Sequence, residues 1–209
     1  MGESSGRTAG AVWDDFDLVQ RAAAYAADAH RDDLRKGTPI PYVSHLWSVA
    51  ALVMEHGGDD TQVAAGLLHD VVEDHGGADR LADVAAQFGP DVAALVEALG
   101  DSVVDTTAGA EKPPWRARKE AYVAHLPDAD PRALLVSACD KLHNARSILA
   151  DVRTQGPALW DRFNQKDPDA HLWYYESLVA VLRPRVPPAL GDELARTVAA
   201  LRVEVHGDA

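Results

Sequence analysis

Among 209 residues there is one cysteine, Cys139. No internal disulfide can staple the chain, so stability has to come from apolar packing, for which a 47% hydrophobic content is ample. The sequence has no run of 18 apolar residues and no charged-then-apolar leader, so neither a membrane span nor a signal peptide is expected and the compartment reads as the cytosol. Positive charge is scarce as well. Against 33 Asp+Glu stand 20 Lys+Arg, a net charge of -13, which argues against general affinity for nucleic acid or anionic membranes. An anionic small molecule would need a local basic patch. Strand-type alternation, internal repeats and low-complexity interior segments are also missing, so the expected fold is an all-α bundle in one domain over 13–205, after a small, polar, disordered tail over 1–12.

What is present is helical periodicity. Phe16, Val19, Ala23, Ala26, Ala27 and His30 predict an amphipathic helix from Asp14 to about Asp32. His30 falls on or beside its apolar stripe and reads as a packed histidine, since nothing nearby in sequence completes a ligand set. Gly37, Pro39 and Pro41 then break the helix and hold Arg35 and Lys36 on a loop, where paired cations can meet phosphates. The pattern resumes from Tyr42 to His56, with His45 in its first turn. Asp59-Asp60 cap a further helix, expected from Thr61 to about Asp74 and ended by Gly76-Gly77; His56 and His75, at helix ends, read as solvent-facing. Helices are also expected over 78–88, 90–99, 131 to about 153, 170–182 and 188 to about 203, with a short turn at 160–163. Asp101 to Pro114 reads as a long loop. Beside it, Lys112, Trp115, Arg116, Arg118 and Lys119 form the most basic segment of an acidic chain, where a polyanion could be steered.

The stretch Leu67-Leu68-His69-Asp70-Val71-Val72-Glu73-Asp74 holds the densest chemistry. On one helix, residues four apart share a face, which puts His69 above Glu73 and Asp70 above Asp74. An imidazole beside a carboxylate supplies two metal ligands, and two more carboxylates can handle the protons of water. A lone His-Asp pair recurs by chance, however, and taken alone reads as a solvated helix end. Further ligands are offered by His45, 24 residues before His69, and by Asp140, 70 residues after Asp70. Asp140 adjoins the apolar stripe of Leu135, Ala138, Cys139, Leu142 and Ala145, where a carboxylate is costly unless paired or metal-bound. Asn144 shares its face one turn on, and Cys139 reads as core. Two imidazoles and two carboxylates suit a first-row transition metal or a hard divalent ion with open positions, not a closed thiolate site.

His, then His-Asp, then Asp is the pattern of the HD-superfamily metal phosphohydrolases, and the flanking residues narrow the match. Arg35-Lys36-Gly37 with Pro41-Tyr42-Val43-Ser44-His45, then Leu67 to Asp74, then Asp140-Lys141-Leu142-His143-Asn144-Ala145-Arg146 resemble the hydrolase domain of the RelA/SpoT family. In size the chain is similar to the stand-alone small alarmone hydrolases, and the resemblance runs roughly from Tyr25 to Leu182. It implies an HD-type helical bundle with one divalent metal, in that family typically Mn2+, on His45, His69, Asp70 and Asp140. It also implies that Glu73 and Asp74 orient and deprotonate water, that Arg35 and Lys36 contact base and phosphates, and that Asn144 contacts the nucleoside. Ser147 and Tyr174 fall near substrate contacts, with packing an equally open role. The implied reaction removes the 3′-pyrophosphate of guanosine tetra- or pentaphosphate, giving GDP or GTP and pyrophosphate. An adenine alarmone, a nicotinamide dinucleotide phosphate or a nucleoside monophosphate as substrate stays open, as does a catalytically silent nucleotide-binding scaffold. The sequence departs from the family in a longer loop before His45, in His75 where Thr is usual, and over Asp101 to Trp115.

Overall fold

Apolar residues recurring every three or four positions give a chain that is helical wherever it is regular. The computed structural model describes residues 14–100 and 113–207; among them there is no β-strand, only an isolated bridge between Leu34 and Pro41. The tail over 1–12 and nearly all of the loop from Asp101 lie outside the described residues. The helices are α1 (Phe16–Ala29), α2 (Val43–Glu55), α3 (Asp60–Leu68), α4 (Val71–Asp74), α5 (Gly77–Phe88), α6 (Pro90–Leu99), α7 (Trp115–His125), α8 (Pro131–Gln155), α9 (Pro168–Leu182) and α10 (Pro188–His206). Short 3-10 segments cover Leu126–Asp128 and Gly156–Arg162.

Their starts are written in the sequence. The Asp15 carboxylate accepts the Leu18 N–H, and Asp59 and Gln62 form a reciprocal capping box at α3. Asp130 and Asp167 cap α8 and α9 ahead of prolines at the first helical position. Helix α3 is apolar on nearly every side, with Val63, Ala64, Ala65, Leu67 and Leu68 all buried, so it can only lie at the centre. It packs against α1, α2, α6 and α8. Helix α8 in turn packs on α2, α3, α6 and α10, and α9 braces α10 and α8. The mutual packing of α2, α3 and α8 is what brings His45, His69 and Asp140 together from distant points in the chain.

Two expectations change. The helix expected from Thr61 to Asp74 ends at Leu68 and restarts at Val71. The His69 ring N–H donates to the Gly66 carbonyl at 2.8 Å, taking the acceptor that a continuing helix would offer to the Asp70 N–H. His69 and Glu73 therefore do not stand on one continuous helix. Helix α7 was not expected: Tyr122 is its one buried residue, so it has no apolar stripe to read.

Leu194 is fully buried on α10 and contributes nothing to the candidate site. Leu194→Ala is expected to lower the unfolding free energy by about 2–5 kcal/mol in a urea titration while metal content stays unchanged.

Candidate metal centre

His45 enters from the first turn of α2, His69 and Asp70 from the break between α3 and α4, and Asp140 from the middle of α8. The ligand atoms of His45, His69 and Asp70 lie within 4.8 Å of one another. His45 Nε2 is 3.6 Å from Asp70 Oδ2 and 3.2 Å from Asp140 Oδ1; His69 Nε2 is 3.0 Å and 3.7 Å from the same two oxygens. All four sequence-predicted ligands thus converge on one point.

The surrounding hydrogen bonds turn both imidazoles the same way. Because His69 Nδ1 donates to the Gly66 carbonyl, its Nε2 is the nitrogen turned to the carboxylates; it is buried without a well-aligned hydrogen-bond partner although Asp70 Oδ2 is close. His45 Nδ1 faces His143 Nδ1 at 2.7 Å, so one of those two rings must donate to the other. Burial pushes the pKa of both rings down, that of His143 to about 4, so both are neutral; a His45 that donates through Nδ1 to His143 presents a bare Nε2 to a cation. Two imidazole nitrogens facing two carboxylates fit a cation between them, and an orphaned His69 Nε2 is what such a cation would satisfy.

Electrostatics say the same. Burial opposes charge on His69, yet Asp70 and Asp140 outweigh it and hold its pKa well above the ordinary range. Burial likewise opposes ionisation of Asp70 and Asp140; the histidines around Asp70, and Lys141 together with His45 and His69 around Asp140, outweigh it and keep both carboxyls ionised. The cluster calls for positive charge at its centre. Tyr42 donates to Asp70 Oδ2 at 2.6 Å, while Lys141 and Asn144 donate to the two oxygens of Asp140 at 2.7 and 2.6 Å. Tyr42, Lys141 and His143 have no assigned role in the sequence reading. Each lies within three residues of a ligand, one helical turn, which is the signal that could have found them.

Beside the cluster opens a cavity of about 680 Å³, within the range for small-molecule sites. None of the four ligands is among its lining residues; it reaches them through Tyr42, Lys141, His143 and Asn144. Arg35, Lys36 and Asn144 line it as expected, as do Ser147 and Tyr174. Arg35 donates to Asn144 Oδ1 at 2.9 Å and lies 5.8 Å from the centre of the Tyr42 ring; Lys36 donates to Asn164 at 3.0 Å. The loop that presents them turns at Gly37, whose φ of +70° suits glycine, and a Cβ there would run into the Arg162 side chain. From the basic segment, Trp115 and Lys119 line the cavity, while Arg116 stacks over Trp173; Lys112 lies outside the described residues. Asp74 lines the cavity and Glu73 does not. Loss of hydration first, then Asp70 and Glu73, push the Asp74 carboxyl up to about 6.

Against known proteins, the HD domain profile matches residues 22–166. The chain belongs to the HD-domain family. Its His/Asp cluster is the donor set typical of that family, and the chain is related to the RelA/SpoT-family hydrolase domain. Over 162 residues it is 32% identical to the guanosine-3′,5′-bis(diphosphate) 3′-pyrophosphohydrolase MESH1 of Drosophila melanogaster, covering 76% of this chain and 81% of that one. Its identity to the Homo sapiens MESH1 is 38% over 130 residues, 61% of this chain and 67% of that one. The solved structure of a metazoan SpoT ortholog described as hydrolysing ppGpp superposes with a TM-score of 0.69 at 27% identity, covering 93% of this chain and 97% of that chain. Other curated relatives are far longer: the chain spans 17% of a probable 3′-pyrophosphohydrolase from Synechocystis and 16% of a probable GTP pyrophosphokinase from Mycobacterium leprae. No helix among the described residues is long and apolar enough to cross a membrane.

Proposed function

We propose that this HD-domain chain is a cytosolic, manganese-dependent hydrolase of the 3′-pyrophosphate of guanosine tetra- and pentaphosphate. The observation that carries the reading is the junction of the ligand cluster with a cavity whose charge is the reverse of the chain's. Arg35, Lys36, Lys119, Lys141 and Arg162 line it against two acids, Asp74 and Asp151, in a protein of net charge -13. A phosphorylated nucleoside suits such a wall: the cations offset phosphate charge, and Tyr42, Trp115, Phe163 and Tyr174 offer faces on which a base can stack. The relatives named for 3′-pyrophosphohydrolysis support the choice of substrate.

In this reading His45, His69, Asp70 and Asp140 hold the metal, which when bound supplies Lewis-acid polarisation of the scissile phosphoryl group and a more acidic water. Arg35 binds phosphate or base from a position set by Asn144, and Lys36 adds a point charge. Asp74 takes the proton from water, and Glu73 beside it helps orient that water. The water oxygen bonds to phosphorus as the bond from phosphorus to the ribose 3′-oxygen breaks; pyrophosphate leaves, and the proton that Asp74 took passes to the 3′-oxygen.

Purified protein supplied with Mn2+ is expected to release pyrophosphate from guanosine tetraphosphate. Turnover confined to an adenine alarmone, a dinucleotide phosphate or a nucleoside monophosphate would keep the enzyme class and reject guanine. Nucleotide binding with metal present and no turnover of any of them would reject the enzyme in favour of a silent scaffold.

A further inference from the structure

His30 is not merely packed, and His75 does not face solvent alone. His30 stacks on the Tyr42 ring with centroids 4.8 Å apart, and its companions come from the turn after α1 and from the end of α4. His30 Nδ1 lies 2.8 Å from Asp33 Oδ2; His75 Nε2 lies 2.6 Å from that same oxygen and 3.2 Å from His30 Nδ1. Three donor atoms on one face of an octahedron, each about 2.1 Å from a cation, stand about 3 Å apart. Two imidazoles and a carboxylate meeting at one point, not as separate pairs, repeat the donor types of the principal centre.

We propose that His30, Asp33 and His75 form a second binding site for a divalent first-row transition cation, clamping the end of α1 to the end of α4. His30 caps the C-terminus of α1, the negative end of the helix dipole, where a cation is favoured. Its side chain is wholly buried, whereas those of Asp33 and His75 are 38% and 27% exposed, giving the ion a way in and leaving positions for water. Through Tyr42, which also donates to Asp70, the site touches the principal centre without sharing a ligand with it. The proposal does not depend on which nucleotide the chain hydrolyses.

Hydrogen bonds from both rings to Asp33 would satisfy the same geometry with no cation, and a metal titration separates the two. Metal-free protein titrated with Co2+, with bound metal counted by mass spectrometry and visible absorption, is expected to take up two equivalents per chain. Asp33→Ala, His75→Ala and Asp140→Ala should each take up one, and Asp33→Ala/Asp140→Ala none. In the Asp140→Ala background the remaining ion should raise Tm, an effect that vanishes when Asp33→Ala is added. His75 is half-buried at a helix end, so its variant tests the site even where a change at Asp33 disturbs folding. Saturation of the wild type at one equivalent, or two equivalents retained by both single variants of the second site, overturns the proposal.

Discussion

Asp140→Ala is expected to lose one equivalent of bound metal per chain and more than about 100-fold in turnover, the upper end of what disturbing outer partners of a metal site costs. Asp140 Oδ1 faces His45 Nε2 and His69 Nε2 at once, while its other oxygen holds Lys141, whose side chain is 14% exposed. Removing the carboxylate strips the centre of a ligand and strands a largely buried ammonium, a loss of about 3–5 kcal/mol when such a pair is broken. Asp140→Asn separates the two effects. The amide keeps the shape and an oxygen that can accept from Asn144, but it cannot match the charge of a carboxylate at the cation. Metal content by mass spectrometry, turnover by pyrophosphate release and folding by circular dichroism should therefore show Asp140→Asn folded, metal-poor and slow. A variant that stays fully loaded and fully active would remove Asp140 from the ligand set.

The four residues that converge were legible because each carries a local anomaly: a histidine opening an apolar helix, a His-Asp pair ending one, and a carboxylate at the edge of the α8 stripe. The helices were legible for the same reason, periodicity bounded by Asp caps, prolines and glycines. What escaped was settled by packing between distant segments. The break at His69 depends on a ring nitrogen reaching back to Gly66, which no propensity encodes. Helix α7 docks through the buried Tyr122, whose hydroxyl meets Ser137 at 2.7 Å, with Trp115 and Val123 packed beside it, an apolar face too sparse to read as a stripe. His30 looked solitary because His75, which completes its triad, comes 45 residues later. The same limit applies to His143, whose hydrogen bond with His45 exists only once α2 lies on α8.

Asp74→Asn should leave both cations bound and lower turnover by about 10²–10⁴-fold, the usual contribution of a positioned general base. The asparagine keeps the size of the side chain and its place in the cavity wall, removing the charge and with it the capacity to accept a proton. Retained metal is what distinguishes this outcome from that of Asp140→Ala, since Asp74 lies outside the ligand cluster. Glu73→Gln is expected to lose less, because Asp74 lines the cavity and Glu73 does not, although both sit on the four-residue α4. The comparison is best made at saturating Mn2+ and saturating nucleotide, so that it reads kcat alone and not substrate affinity. Full activity in Asp74→Asn would reject its proton-handling role. A larger loss in Glu73→Gln would hand that role to its neighbour, placing the attacking water nearer to Glu73 than the cavity wall suggests.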